Sequence, residues 1–260
     1  MTVFPHFTWP TSQALTLWHR EGGALAKLAA PLALTQLATM AIVTTDVVMM
    51  GWLGPGALAA GSLAGHFYGF FNYVAMGLLG AVAPILAQHL GARQFRMVRR
   101  TVRQGFWAAV IVAVPCIAII WQVEAILMLF GQDPDLASAG GSYLRLMVAG
   151  FIPGLWYLVL SEFLAAHVRP RPALLVTVLA IGFNGIADYA LMFGHFGFPR
   201  LELVGAGIAS AVVNVLMFLG LLCFGLLLCW RSLCFWLCFW LCLSFCFCLC
   251  LCLCLCLCDS

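Results

Sequence analysis

Asp46, Asn184 and Asp188 are the residues whose types and placement in this sequence can do chemistry. Asp46 sits in the run TTDVVMMGWLG, near the end of a long apolar stretch. Asn184 and Asp188 sit in FNGIAD inside another. A spacing of four puts Asn184 and Asp188 on one face of a helix, one turn apart. Two acids and an amide in apolar surroundings, with no base beside them, call for a removable cation. A proton fits, because paired carboxylates out of water can bind and release H⁺. Na⁺ fits as well, because carboxylate and amide oxygens are the hard ligands an alkali cation prefers. The structural alternative is that each Asp faces a small water-filled vestibule or bonds a neighbouring hydroxyl, such as Thr44 or Thr45.

The elements that carry these residues follow from composition. Of 260 residues 65% are hydrophobic and 8% charged, far from the balance of a soluble domain. The sequence reads as an all-α integral membrane protein. Runs of about 20 apolar residues mark spanning helices, and six occur: 24–50, 57–88, 105–130, 142–165, 172–193 and 203–228. The second is long enough to tilt or to include an interfacial turn. The organisation is an amino-terminal segment 1–23, a six-helix bundle 24–228 and a Leu-Cys tail 229–260. Monotonous Leu-Cys alternation lacks the spaced cysteines and polar loops of a disulfide framework or zinc site. The tail reads as low-complexity sequence outside the functional bundle, non-native or frameshifted in origin, and no metal site is expected.

Short cytoplasmic loops are enriched in Lys and Arg. Arg20 and Lys27 precede the first span, GARQFRMVRRTVRQG links the second and third, HVRPRP links the fourth and fifth, and Arg231 follows the sixth. The intervening loops WLGPG, GQDPDLASAGG and GHFGFPRLEL carry no basic excess. All agree on a cytoplasmic amino terminus. The +3 net charge is too small and too clustered to suggest nucleic-acid binding; anionic-lipid contact is the secondary reading of the basic loop. No cleavable signal peptide is recognisable.

This topology gives depth. Asp46 lies nineteen residues beyond Lys27, about 28 Å along a helix axis, and Asp188 seventeen beyond Arg171, about 26 Å. The two acids are therefore expected at one height, in the outer half of the membrane. An intramembrane acid is costly and marks function. Weaker candidates for a substrate path or proton relay are His66, Gln36 and Glu162. His66 lies about 14 Å from the outer end of its span, and a lone membrane His equally often bonds helix to helix. Glu124 and Glu162 fall near helix ends, and Arg145 opens the fourth span at its outer end. Pro31, Pro84, Pro115 and Pro153 can kink their helices. No P-loop, nucleophile elbow or zincin motif is present. The reading is a non-enzyme without a cofactor, in which any transport draws on an ion gradient or is passive.

The runs LAAPLALTQLATMAIVTTDVVMMGWLGPGALAAGSLA, QHLGARQ and RPRPALLVTVLAIGFNGIADYALMFGHFGFPRLELVGAGIASAVVN, in order from about Gly23 to Leu222, resemble the multidrug and toxic compound extrusion (MATE) family in its NorM-like branch. The resemblance implies one six-helix half of a twelve-helix transporter of the bacterial cytoplasmic membrane. Such a protein exports small cationic or amphipathic substrates in exchange for Na⁺ or H⁺. Asp46 matches the family's first-helix Asp, implicated in cation coupling, and Asn184 and Asp188 match its paired polar positions on the fifth helix. Asp188 departs from the NorM-like branch, where Asn is commoner, toward the proton-coupled branches. The half-length chain is read as a truncated half-transporter, or as one that pairs with a second copy or a separate second half. The rival expectations are a flippase for lipid-linked sugars, which would carry an Arg-rich cleft, and a non-functional membrane fragment.

Overall fold

A computed structural model describes residues 12–167 and 170–230. The first eleven residues, Arg169, Arg231 and the Leu-Cys repeat lie outside the described residues. The described chain forms nine α-helices: α1 (Ser12–Leu53), α2 (Pro55–Leu79), α3 (Val82–Gly91), α4 (Phe95–Trp121), α5 (Val123–Leu129), α6 (Pro134–Met147), α7 (Phe151–Ala166), α8 (Arg171–Phe193) and α9 (Leu203–Trp230). Six stretches are long and apolar enough to cross a membrane: Leu25–Leu53, Pro55–Gly91, Phe95–Trp121, Pro134–Ala166, Arg171–Phe193 and Leu203–Phe224. The six-helix expectation holds, and α1 reaches back into the amino-terminal segment as far as Ser12.

Prolines explain why two spans are broken. A proline inside a helix loses its own hydrogen bond and collides with the carbonyl four residues earlier. Pro84 sets that collision at Gly80, and the second span divides there into α2 and α3. Pro153 sets it at Ala149, inside the 3₁₀ turn Val148–Gly150 that separates α6 from α7. Pro134 instead starts a helix, where a missing N–H costs nothing. Asp133 caps it by accepting from the N–H of Asp135 at 2.9 Å.

Two expectations need correction. The basic stretch read as a loop is mostly helical, because α4 begins at Phe95 and carries Arg96, Arg99, Arg100 and Arg103. Only Ala92–Gln94 turn the chain, with Arg93 left-handed at φ 55°, and no Gly or Pro stands in the way of a helix between Phe95 and Gln104. Arg145 does not open the fourth span. It lies in the last turn of α6, where its guanidinium meets Glu124 at 2.7 Å in a partly exposed ion pair.

The main core joins α2, α3, α4, α6, α7 and α9 through residues such as Leu79, Leu86, Ile120, Leu144, Phe151 and Phe163, all 2% exposed or less. Apolar side chains such as Ile111, Leu179 and Ile186 face outward, as bilayer-facing helices require. Close approach brings α9 into the middle. A Cβ on Gly205 would stand 2.7–2.9 Å from the backbone of Leu191 and Met192 on α8, and one on Gly207 would stand 2.6 Å from the Tyr143 carbonyl on α6. Small residues thus let three backbones meet, as in other membrane helix pairs.

Candidate cation site

Asp46 lies on α1, Asn184 and Asp188 on α8, and all three are buried: Asp46 is 7% exposed and the other two not at all. The Asn184 side-chain amide donates one hydrogen bond to Asp46 Oδ1 and a second, of 2.8 Å, to Asp188 Oδ2. One amide therefore touches both acids, which puts them at one height as the residue count from the basic end requires. With both acids ionised the amide nitrogen faces them, since its oxygen would stand against two acceptor-only carboxylates.

A fourth member comes from α9. Ser210, 6% exposed, donates to Asp46 Oδ2 at 3.1 Å. Nothing in GIASAVVN marks this serine among its small neighbours, and only the Gly205 and Gly207 contacts that draw α9 inward give it reach. The neighbouring hydroxyls considered from the sequence turn elsewhere: Thr44 donates to the Met40 carbonyl and Thr45 to the Ala41 carbonyl, each at 2.9 Å. Those are back-bonds within one helix. Asp46 takes its donors from α8 and α9 instead.

Counting acceptors shows what remains open. Both oxygens of Asp46 and Oδ2 of Asp188 have donors, whereas Asp188 Oδ1 and Asn184 Oδ1 are buried without a partner among the described residues. A buried acceptor left empty costs about 1–3 kcal/mol. Among the described residues no ion pair involves either acid, the pairs being Arg145–Glu124 and Arg200–Glu202. The donor set suits a proton or a small hard cation, each of which would use those oxygens.

One turn toward the basic end, Ile42 of α1, Ala180 of α8 and Val213 and Met217 of α9 form an apolar cluster. Ile42 precedes Asp46 by one turn and Ala180 precedes Asn184 by one turn, while α9 runs the opposite way and places Val213 and Met217 beyond Ser210. The acids are thus closed off by apolar packing on that side.

The remaining candidates stay apart from this site. His66 Nδ1 contacts the Ser62 carbonyl of its own helix at 2.6 Å, and the residue is exposed. Gln36 is exposed ten residues before Asp46, about 15 Å along α1. Glu162 is half-buried on α7, four residues from the helix end nearest the basic side.

Residues 31–190 match the MatE family model. The chain belongs to the MatE family. Asp46, Asn184 and Asp188 fall inside the matched region, and Ser210 beyond it. Among relatives of this MatE chain, the probable multidrug resistance protein NorM of Brucella suis biovar 1 (strain 1330) is 42% identical over 217 residues, covering 83% of this chain and 46% of that protein. NorM of Mesorhizobium japonicum (strain LMG 29417 / CECT 9101 / MAFF 303099), likewise named a probable multidrug resistance protein, is 40% identical over 207 residues, 79% of this chain and 44% of its own. The chain spans about half the length of these relatives. The MATE fold is matched by the eukaryotic MATE transporter AtDTX14 with a TM-score of 0.73 at 23% identity, covering 78% of this chain and 45% of that one. An outward-facing multidrug resistance MATE transporter of the MOP superfamily matches with a TM-score of 0.67 at 21% identity. The chain is therefore a multi-pass membrane protein with one six-helix MATE bundle.

Proposed function

We propose that this chain forms one bundle of a cation-coupled multidrug efflux transporter, with Asp46, Asn184 and Asp188 binding the coupling ion and Ser210 holding Asp46 in place. The observation that carries the reading is a buried acid pair with no basic partner among the described residues, beside two buried oxygens with no donor among them. An incoming H⁺ or Na⁺ is taken up at Asp188 Oδ1 and Asn184 Oδ1. Both oxygens belong to α8, whose Asn184 amide also holds Asp46 of α1, so the ion's arrival and departure change how tightly α1 is tied to α8. Such a differential contact is what a coupling ion needs in order to bias one conformation over another.

The bundle is set in the bacterial cytoplasmic membrane with its arginine-rich end at the cytoplasm, which places the acid pair in the outer half. The exported compounds are small, cationic or amphipathic, in keeping with the names of the NorM relatives and with the acidic character of the deepest polar residues. The protein acts as a transporter, not an enzyme, and its only small partner besides substrate is the coupling ion. The span of about half of the NorM relatives, 46% and 44%, supports pairing with a second bundle, supplied by another copy or by a separate chain.

The test is transport in liposomes, with the chain alone and with the carboxyl-terminal half of the Brucella NorM. An imposed pH or Na⁺ gradient is expected to drive a cationic dye across the membrane in the wild type and not in Asp46→Asn. Equal transport by the two proteins would overturn the proposal.

A further inference from the structure

A cavity of about 300 Å³ opens between α3 and α4 at the arginine-rich end, well away from the acid pair. Its lining is graded along both helices. On α4, Arg100, Gln104 and Ala108 share one face at helical spacing, and the same stripe continues to Ile111, 69% exposed. That is about 16 Å from a fixed positive charge to bare hydrocarbon surface. On α3, His89, Ile85 and Val82 repeat the order, polar near the turn and apolar beyond it. Among the described residues Arg100 takes part in neither ion pair, and α4 itself carries no acid.

We infer that this cavity is a binding site for one anionic phospholipid, with the phosphate between Arg100, His89 and Gln104 and the first acyl carbons along Ile85, Val82 and Ala108. The ligand class follows from three features. The charge at the mouth favours an anion and disfavours the cationic compounds proposed for export. The polarity falls along the helix axis in the sense in which a lipid's own polarity falls from headgroup to chain, unlike a site for a wholly polar solute. The volume, at the small end for a ligand site, accommodates a headgroup and its nearest carbons, leaving the chains on the exposed stripe toward Ile111. Basic pockets between membrane helices on the cytoplasmic side are suited to acidic headgroups. Naming the cytoplasmic leaflet rests on the orientation proposed above; the binding itself does not.

The experiment is thermal unfolding of the whole chain in detergent, titrated with short-chain phosphatidylglycerol, phosphatidylcholine or glycerol 3-phosphate. Detergent exposes both ends, so an error in orientation leaves the result unchanged. Phosphatidylglycerol is expected to raise Tm where phosphatidylcholine and the chainless phosphate do not, and the rise should fall by more than half in Arg100→Gln. Arg100 is exposed, so this variant folds. Ala108→Phe, which fills the groove without changing charge, should lose the rise as well. Arg93→Gln and Arg96→Gln, at the same end but outside the lining, should keep it. An equal rise with phosphatidylcholine, an equal rise with glycerol 3-phosphate, or an equal loss in all the arginine variants would overturn the site in favour of unspecific detergent-like, free-phosphate or diffuse charge effects.

Discussion

Asp46 and Asn184 stand 138 residues apart in the chain and share a buried hydrogen bond between α1 and α8. Because the same amide also reaches Asp188, a change at any of the three is felt by the others. Asn184→Ala removes two donors and leaves two acids adjacent with no bridge. It is expected to lower stability by about 3 kcal/mol or more, read as a fall in Tm, and Asp46→Asn combined with it should cost less than the two single losses added together.

Ser210→Ala should be milder. It deletes one bond to a carboxyl group, worth about 1.5–3 kcal/mol when the acceptor is charged, while Asn184 still holds Asp46 from the other side. Ser210→Thr keeps the hydroxyl and should retain most of the stability. A Tm for the alanine variant equal to that of the wild type would remove Ser210 from the site.

Gly205→Ala tests the contact that brings α9 inward. Its new Cβ would lie 2.7–2.9 Å from α8 backbone, which no side-chain rotation relieves, so a loss at the upper end of the overpacking range, about 3 kcal/mol, is expected. Gly56→Ala, where nothing lies within 4 Å, is the control and should leave Tm unchanged or raised.

The Arg145–Glu124 pair provides the opposite contrast. It is short, at 2.7 Å, but its side chains are 44% and 30% exposed, and exposed ion pairs contribute at most about 1 kcal/mol. Glu124→Gln should therefore shift Tm far less than Asn184→Ala, and the gap between the two measures how much burial matters here.

Much of this architecture was legible in the sequence. Long apolar runs can only be satisfied as helices in a bilayer, and the residue counts from Lys27 to Asp46 and from Arg171 to Asp188 set the two acids at one height. The broken spans were less legible, because Pro84 and Pro153 reveal a break only once it is known that they lie inside a helix and not at its start. Ser210 was not legible at all. Its role depends on α9 approaching α1 and α8, a tertiary fact carried by Gly205 and Gly207, and a serine among alanines and valines has no local signature. His66, Gln36 and Glu162 show the converse: polarity within a span is visible in sequence, but which way it points is not.

The most direct measurement is infrared difference spectroscopy of the carboxyl C=O band on the purified chain, recorded as pH is raised and as Na⁺ is added. A buried acid pair that binds the coupling ion predicts a band that disappears under one or both treatments and is absent or displaced in Asp46→Asn and in Asp188→Asn. A band unchanged by pH and Na⁺, or one that persists unaltered in both variants, would contradict the assignment of Asp46, Asn184 and Asp188 as the cation site.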